Sequence, residues 1–409
     1  MSHDHSALIA QFRKFLIQQR YNAMVVHNYC CNADDFLDYL DRRKISIEIA
    51  TPTEVSNYLR CAVRWFHERH GYSCAPLWPS IPRAGIHALL RLVQKRWPPE
   101  PTVSDPGEIF CQAVCSEYRE WLSVQRGLAP ATIRALMWEA RNFLAWYIEH
   151  NGVRLKDLTI RDIDAYFNLR APGLRRRSLK DVAERLRSLM RYLHRTERIP
   201  VDFAPHVISP VLYAYETIPS TLDSEQINAV LKHTKKDRSP IGLRDYAILQ
   251  LLSTYGLRAG EIKHLQLDDI NWRAESLLIR HSKTHGHSLL PLMSPAGESL
   301  INYLRRGRPK TQFREIFLRA RAPYRPLIEI YSAVRYRLEA AGVLPQGKCG
   351  PHIFRHARAV SLLRSSVPRK IIGDVLGHRS TESANAYLRL ATEDLRAIAL
   401  EIPDQEVQP

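Results

Sequence analysis

No stretch of the sequence approaches the ~18–20 consecutive apolar residues a helix needs to span a bilayer, so a membrane-spanning protein is not expected. The opening MSHDHSALIAQFRKFLIQQR lacks the apolar core of an export signal and reads as the start of an amphipathic helix. The expected location is therefore the cytoplasm. Paired CxxC units are also lacking: seven cysteines, an odd number, stand scattered at 30, 31, 61, 74, 111, 115 and 349. That spacing argues against a zinc site and fits reduced, mostly buried thiols. His285 and His287 flank Gly286 at what reads as a hairpin tip, where turn residues explain them better than a metal pair. No metal and no cofactor are expected. Acidic residues are in deficit, with 42 Asp and Glu facing 59 Lys and Arg, for a formal net charge of +17. So large a surplus favours a polyanionic partner, nucleic acid or an acidic membrane surface. No basic amphipathic anchor is evident, which ranks the membrane surface last.

What is present is enough to fold. Hydrophobic residues make up 45% and charged residues 25%, so disorder is not the bulk reading. The 409 residues suggest two or three domains. WPPEPTVSDPG (97–107) breaks any helical pattern, and prolines at 205, 210 and 219 mark a second break. The expected division is 1–100, 108–205 and 215–409. The first two pieces resemble each other. QFRKFLIQQR (11–20) aligns with EYREWLSVQR (117–126), DDFLDYL with RNFLAWY, and TPTEVSNYLR with TIRDIDAYFNLR. The offset drifts from 106 to 108 residues, as loop insertions would produce, and we read a duplicated helical unit. In the middle piece, apolar residues at helical spacing predict helices over 108–124, 130–150, 158–169 and 178–194. Arg175, Arg176, Arg177 and Lys180 cluster at the start of the last of these. Such a cluster is usually a solvated face, but in so basic a chain phosphate contact competes. Thr132 and Arg134, early in another helix, are weaker candidates for the same role.

The third piece is mixed. A helix start is expected at Asp223 with Gln226, an apolar helix over 245–255 ending at Gly256, and a short helix from Arg258. The period then changes to two strands, 276–281 and 288–292, around a Lys-Thr-His-Gly-His turn. Helix resumes at Ser294-Pro295, with further helices near 326–341, 352–366, 368–376 and 381–401.

Several polar residues sit awkwardly in this last piece. Arg258 lies in an apolar run, Lys283 at the strand turn, and His352, Arg355 and His356 at i, i+3 and i+4 on one helix face. His378 follows Leu376-Gly377, and Tyr387 comes nine residues later. Taken singly each has a bland explanation: an arginine paired with Glu261, a solvated lysine, a capping histidine, a core tyrosine. Together, in this order and spacing, they resemble the tyrosine recombinase (phage integrase) family over roughly 220–400. TYGLRAGEIKHLQLDDINW resembles its first arginine motif, SKTHGHSLLPL its strand-turn lysine segment, PHIFRH its His-x-x-Arg motif and VLGHRSTESANAY its final block. The resemblance implies Arg258, Lys283, His352, Arg355 and His378 as catalytic residues and Tyr387 as nucleophile. Departures at Arg358, in the ARAV run and in YLRL after the tyrosine leave every catalytic position filled.

The residue types suit the chemistry. Attack on a phosphodiester builds negative charge that two arginines can clamp through charge-assisted hydrogen bonds. A tyrosine hydroxyl, with an ordinary pKa of about 10, needs a proton acceptor and nearby positive charge. Histidine titrates near operating pH, and a lysine on a turn can protonate the leaving 5′ oxygen. No metal is required.

The resemblance further implies an α+β, mostly helical fold: a catalytic domain of helices plus a small antiparallel sheet, preceded by helical core-binding-type domains. Residues 108–205 would be the core-binding half and 1–100 an extra copy of that unit. Double-stranded DNA is the implied partner, gripped by a homo-tetramer or hetero-tetramer in the synapse. The amphipathic TEDLRAIALEI (392–402) could pass between protomers or pack on its own domain. The implied function is site-specific cleavage and rejoining through a 3′-phosphotyrosyl intermediate, for a mobile element. Rival readings are a type IB topoisomerase, which the spacing of LGH to the tyrosine disfavours, and a catalytically silent DNA-binding accessory protein with the same fold.

Overall fold

The computed structural model describes residues 5–99, 105–213, 220–281, 286–343, 345, 347 and 349–377. Four helices open it: α1 (Ser6–Gln18), α2 (Ala23–Arg42), α3 (Pro52–His70) and α4 (Ser80–Gln94). Four more follow: α5 (Pro106–Glu120), which runs on into a π turn, then α6 (Pro130–Asn151), α7 (Ile160–Arg170) and α8 (Arg176–Arg195). Each set encloses its own apolar core.

The two sets repeat at the level of single contacts. Thr51 caps α3 in a capping box with Glu54, and Thr159 caps α7 in one with Asp162. Phe36 meets Tyr58 edge-on at 5.3 Å between ring centres, and Phe143 meets Tyr166 edge-on at 5.2 Å. Phe12 and Leu16 in α1, like Tyr118 and Leu122 around the end of α5, are fully buried. These are the positions that the sequence alignment pairs.

The remaining segment is built around α10 (Pro240–Tyr255). Its Ala247, Ile248, Leu249, Leu251 and Leu252 are all buried, as the residues of a central helix must be. Packed against it are α9 (Ser224–Lys235), α12 (Ser294–Asn302), α13 (Tyr331–Ala340) and α14 (Pro351–Arg364). The short α11 (Ala259–Lys263) follows α10, and α15 (Arg369–Leu376) packs on α14. Asp245 and Arg337, both buried, hold α10 to α13 through a 2.9 Å ion pair, with Arg244 and Asp237 completing the network.

Three antiparallel strands complete the fold, in the order β1 (Ile270–Asn271), β2 (Ser276–Arg280) and β3 (His287–Pro291). Leu277 pairs with Ile270 on one side and Leu290 on the other, and Leu277 and Ile279 turn inward onto the core. The architecture is therefore mostly helical with a small antiparallel sheet. By contacts, the described residues of 1–99 and 218–409 group into one compact unit and those of 100–217 into another. Among the described residues no helix is long and apolar enough to cross a membrane.

Candidate active site

Two glycines bring the site together. Gly256 ends α10 in the left-handed conformation, φ +66°, and a side chain there would lie 2.9 Å from Leu376 and 3.2 Å from Arg358. Gly377 ends α15 at φ +61°, where a Cβ would strike the His281 ring at 2.5 Å. Only glycine adopts this backbone without strain and lets the chains approach so closely. The carbonyl ends of α10 and α15 are thereby drawn toward each other.

Both arginines singled out in the sequence fasten to these ends. Arg355, with 3% of its surface exposed, donates from Nη1 to the Gly256 carbonyl at 2.9 Å and from Nη2 to the Leu376 carbonyl. Arg258 donates from Nη2 to the Gly377 carbonyl at 2.8 Å and from Nη1 to Glu261 Oε1 at 2.7 Å. Cations are favoured where helix carbonyls point outward. The two guanidiniums, 97 positions apart in the sequence, thus converge on Leu376-Gly377, immediately before His378.

Glu261 is the hub beneath Arg258. Its buried carboxylate accepts from the Arg258 backbone N–H at 2.8 Å, from the guanidinium, and from His281 Nδ1 at 2.8 Å. Burial alone would raise its pKa; the hydrogen bonds from His281 and Arg258 outweigh that and hold it below the usual carboxylate range. Glu261 and His281 are functional candidates that the motif reading did not single out, Glu261 entering it only as a bland partner for Arg258. The signal for His281 was available in the alternation of β2. Leu277, Ile279 and residue 281 share the inward face, and an imidazole there needs a polar partner.

The His-x-x-Arg motif opens α14. Gly350 is its N-cap, no side chain caps the helix, and Pro351 occupies the first turn. His352 is exposed one residue further on, beside backbone N–H groups of the kind that bind anions. His356 lies one turn below, its ring centre 6.3 Å from that of His352. Burial first, then the charges of His352 and Arg355, pushes the His356 imidazole down to about 4.

The structure therefore brings together Arg258 and Arg355, with His352 on the same helix as Arg355. Lys283, His378 and Tyr387 lie outside the described residues. In the middle unit, Thr132 and Arg134 are exposed on the first turns of α6. Arg175, Arg176 and Arg177 are exposed at the start of α8, with Lys180 half-buried. Arg176 stacks over the Tyr213 ring at 5.6 Å, and Arg177 pairs with Asp181 at 3.7 Å. Among the described residues no cluster of three or more metal-ligating side chains occurs.

Comparison with known proteins places the chain in a family. The phage integrase family profile matches residues 220–394. A protein of Sinorhizobium fredii (strain NBRC 101917 / NGR234) named as an integrase/recombinase, y4gC, is 60% identical over 190 residues. That alignment covers 46% of this chain and 99% of y4gC. The chain belongs to the phage integrase family. It is a tyrosine recombinase, of the enzyme class that cleaves and rejoins DNA strands. A second S. fredii integrase/recombinase, y4rA, is 28% identical over 405 residues, covering 97% of this chain and 94% of the relative. Similarity to that integrase/recombinase thus extends through the first hundred residues. Tyrosine recombinase XerD of Vibrio vulnificus (strain YJ016) is 26% identical over 287 residues, 69% of this chain and 92% of XerD. Among solved structures, XerH site-specific recombinase bound to palindromic difH substrate matches with a TM-score of 0.56 at 15% identity. It covers 73% of this chain and 98% of that one. A lambda integrase tetramer bound to a Holliday junction matches at 0.52 and 18%, covering 77% and 88%. The fold is that of the tyrosine recombinases.

Proposed function

We propose that this tyrosine recombinase cleaves and rejoins DNA at specific sites for a mobile element, through a 3′-phosphotyrosyl intermediate on Tyr387. The observation that carries this reading is the convergence of Arg258 and Arg355 on the chain just before His378. Two fixed guanidiniums at one place suit an anion that gains charge as it reacts. The guanidinium fork of Arg258 has more N–H groups than these two acceptors use, and its side chain is 20% exposed, so it can still donate to a phosphate oxygen.

In the proposed reaction, Tyr387 Oη attacks the scissile phosphorus while its proton passes to His352. The bond from phosphorus to the 5′ oxygen breaks, and Lys283 protonates that oxygen. Arg258, Arg355 and His378 hold the phosphate oxygens throughout. The tyrosyl ester keeps the energy of the broken bond, so a 5′ hydroxyl from another duplex can displace it without ATP. Two duplexes exchanged in this way call for four protomers, identical or of two kinds, acting in the cytoplasm.

Thr132, Arg134, Arg175, Arg176, Arg177 and Lys180 are proposed as contacts to the DNA backbone from a core-binding domain over 108–205, with 215–409 the catalytic domain. Residues 1–100 are proposed as a second copy of the core-binding unit. The repeated capping boxes and edge-on aromatic pairs support that duplication. The long front end is the reason for favouring a mobile-element recombinase over a minimal resolvase.

The test is covalent capture on a nicked duplex carrying the site protected in footprinting. Wild type is expected to leave a denaturation-resistant protein–DNA adduct, and Tyr387→Phe none. Footprinting without an adduct from wild type would make the chain a silent accessory protein.

A further inference from the structure

His281 lies where three segments of the site meet. It follows the last residue of β2 and precedes Lys283 by two positions. The residue is 6% exposed, and its ring makes two hydrogen bonds, from Nδ1 to Glu261 Oε1 and between Nε2 and Ser288 Oγ, both 2.8 Å. Glu261 is held ionised by its partners and so only accepts. Nδ1 therefore carries the proton, and the ring is fixed in one orientation. The same ring fills the space that a side chain at position 377 would need, and the carbonyl of that glycine receives Arg258.

We propose that His281 is a positioning residue for Arg258: by holding Glu261 from below and packing under Gly377, it fixes both acceptors that aim the guanidinium. Without its N–H, Glu261 Oε1 keeps the Arg258 guanidinium and can rotate toward it. Without its bulk, the Gly377 turn loses its floor. Either change turns the arginine away from the phosphate while leaving every other group that touches DNA in place. The inference rests on the recombinase reading above.

Asparagine and glutamine separate the two bonds of the ring. His281→Asn puts an amide N–H close to the position of Nδ1, within reach of Glu261. His281→Gln reaches the position of Nε2 and Ser288 instead. Single-turnover cleavage of the nicked duplex is measured at saturating protein, together with Kd for the same duplex. A displaced catalytic arginine is expected to slow His281→Leu by about 10²-fold. Because no DNA-contacting group is removed, Kd is expected to stay within about threefold of wild type. His281→Asn is expected to recover most of that rate and to exceed His281→Gln by about tenfold.

If the leucine variant does not fold, the asparagine and glutamine pair, both polar and of similar bulk to histidine, carries the test alone. Equal rates for that pair, or a loss seen only in Kd, would overturn the proposal. Failure of the underlying reading has a different signature: wild type itself then gives no adduct on a duplex it footprints, and both proposals fall.

Discussion

His356 gives the residue scale its clearest consequence. Its imidazole is pushed down to about 4 by burial and by the charges of His352 and Arg355. The unfolded chain, where a histidine titrates at about 6.5, therefore takes up a proton that the folded chain refuses. Between those two values the unfolded state binds more protons, so stability falls as the pH falls. For this one group the loss from about pH 7 to about pH 5 is on the order of 2 kcal/mol. Denaturant midpoints at the two pH values check it: His356→Gln is expected to lose less stability over that interval than wild type. An unchanged pH dependence in the variant would place the acid sensitivity of that interval in another group; Glu261 acts only below it. That carboxylate stabilises the fold above its ordinary pKa and stops doing so as the pH falls through its lowered one. The sequence made the arginines and histidines legible because each stood out as polar among apolar neighbours at a fixed spacing. His281 is marked along the chain only by the alternation that runs on from β2; its place beside a carboxylate 20 positions away is what makes it conspicuous.

At the scale of elements, the turns decide whether the site assembles. Gly256 combines a positive φ with neighbours that leave no room for a methyl group. Gly256→Ala is therefore expected to cost about 1–3 kcal/mol in denaturant unfolding, from backbone strain and overpacking against Leu376 and Arg358. Because the Gly256 carbonyl receives Arg355, cleavage should fall further than the reduced stability explains. Activity that merely follows the folded fraction would show that the carbonyl is not what aims the arginine. Gly256 as the end of α10 was legible in the sequence, as were Asp223 with Gln226 as the start of α9 and the Ser294-Pro295 start of α12. The start of α10 was not. The apolar pattern suggests 245, but the helix begins at Pro240, where Ser239 Oγ accepts the Gly242 N–H at 3.1 Å. A serine followed by proline was the available signal, and it preceded the apolar residues by a full turn. The strand β1 went unread because two residues carry no period.

Charge belongs to the whole molecule. A net +17 cannot be read from any single motif, and a basic residue is most often simply solvated. What the structure adds is a concentration of cations: Arg175, Arg176 and Arg177 are exposed together at the start of α8, where Asp181 is the acidic neighbour of Arg177. If this face lies along a DNA backbone, each phosphate it neutralises releases condensed counterions, and affinity then falls steeply with salt. Replacing Arg175, Arg176, Arg177 and Lys180 together by alanine should weaken binding to cognate and unrelated duplexes by similar factors. The slope of log K against log salt should become shallower by about one for each phosphate that is no longer neutralised. Fluorescence anisotropy titrations at several salt concentrations measure both quantities. Weakening confined to the cognate duplex would mean that these side chains read bases, because phosphate contacts carry no direct sequence information. An unchanged slope would return the cluster to the solvated surface and move the search for the DNA face to α6, where Thr132 and Arg134 are exposed. The two outcomes differ because counterion release depends on how many phosphates are neutralised, whereas net charge alone steers encounter without fixing a register.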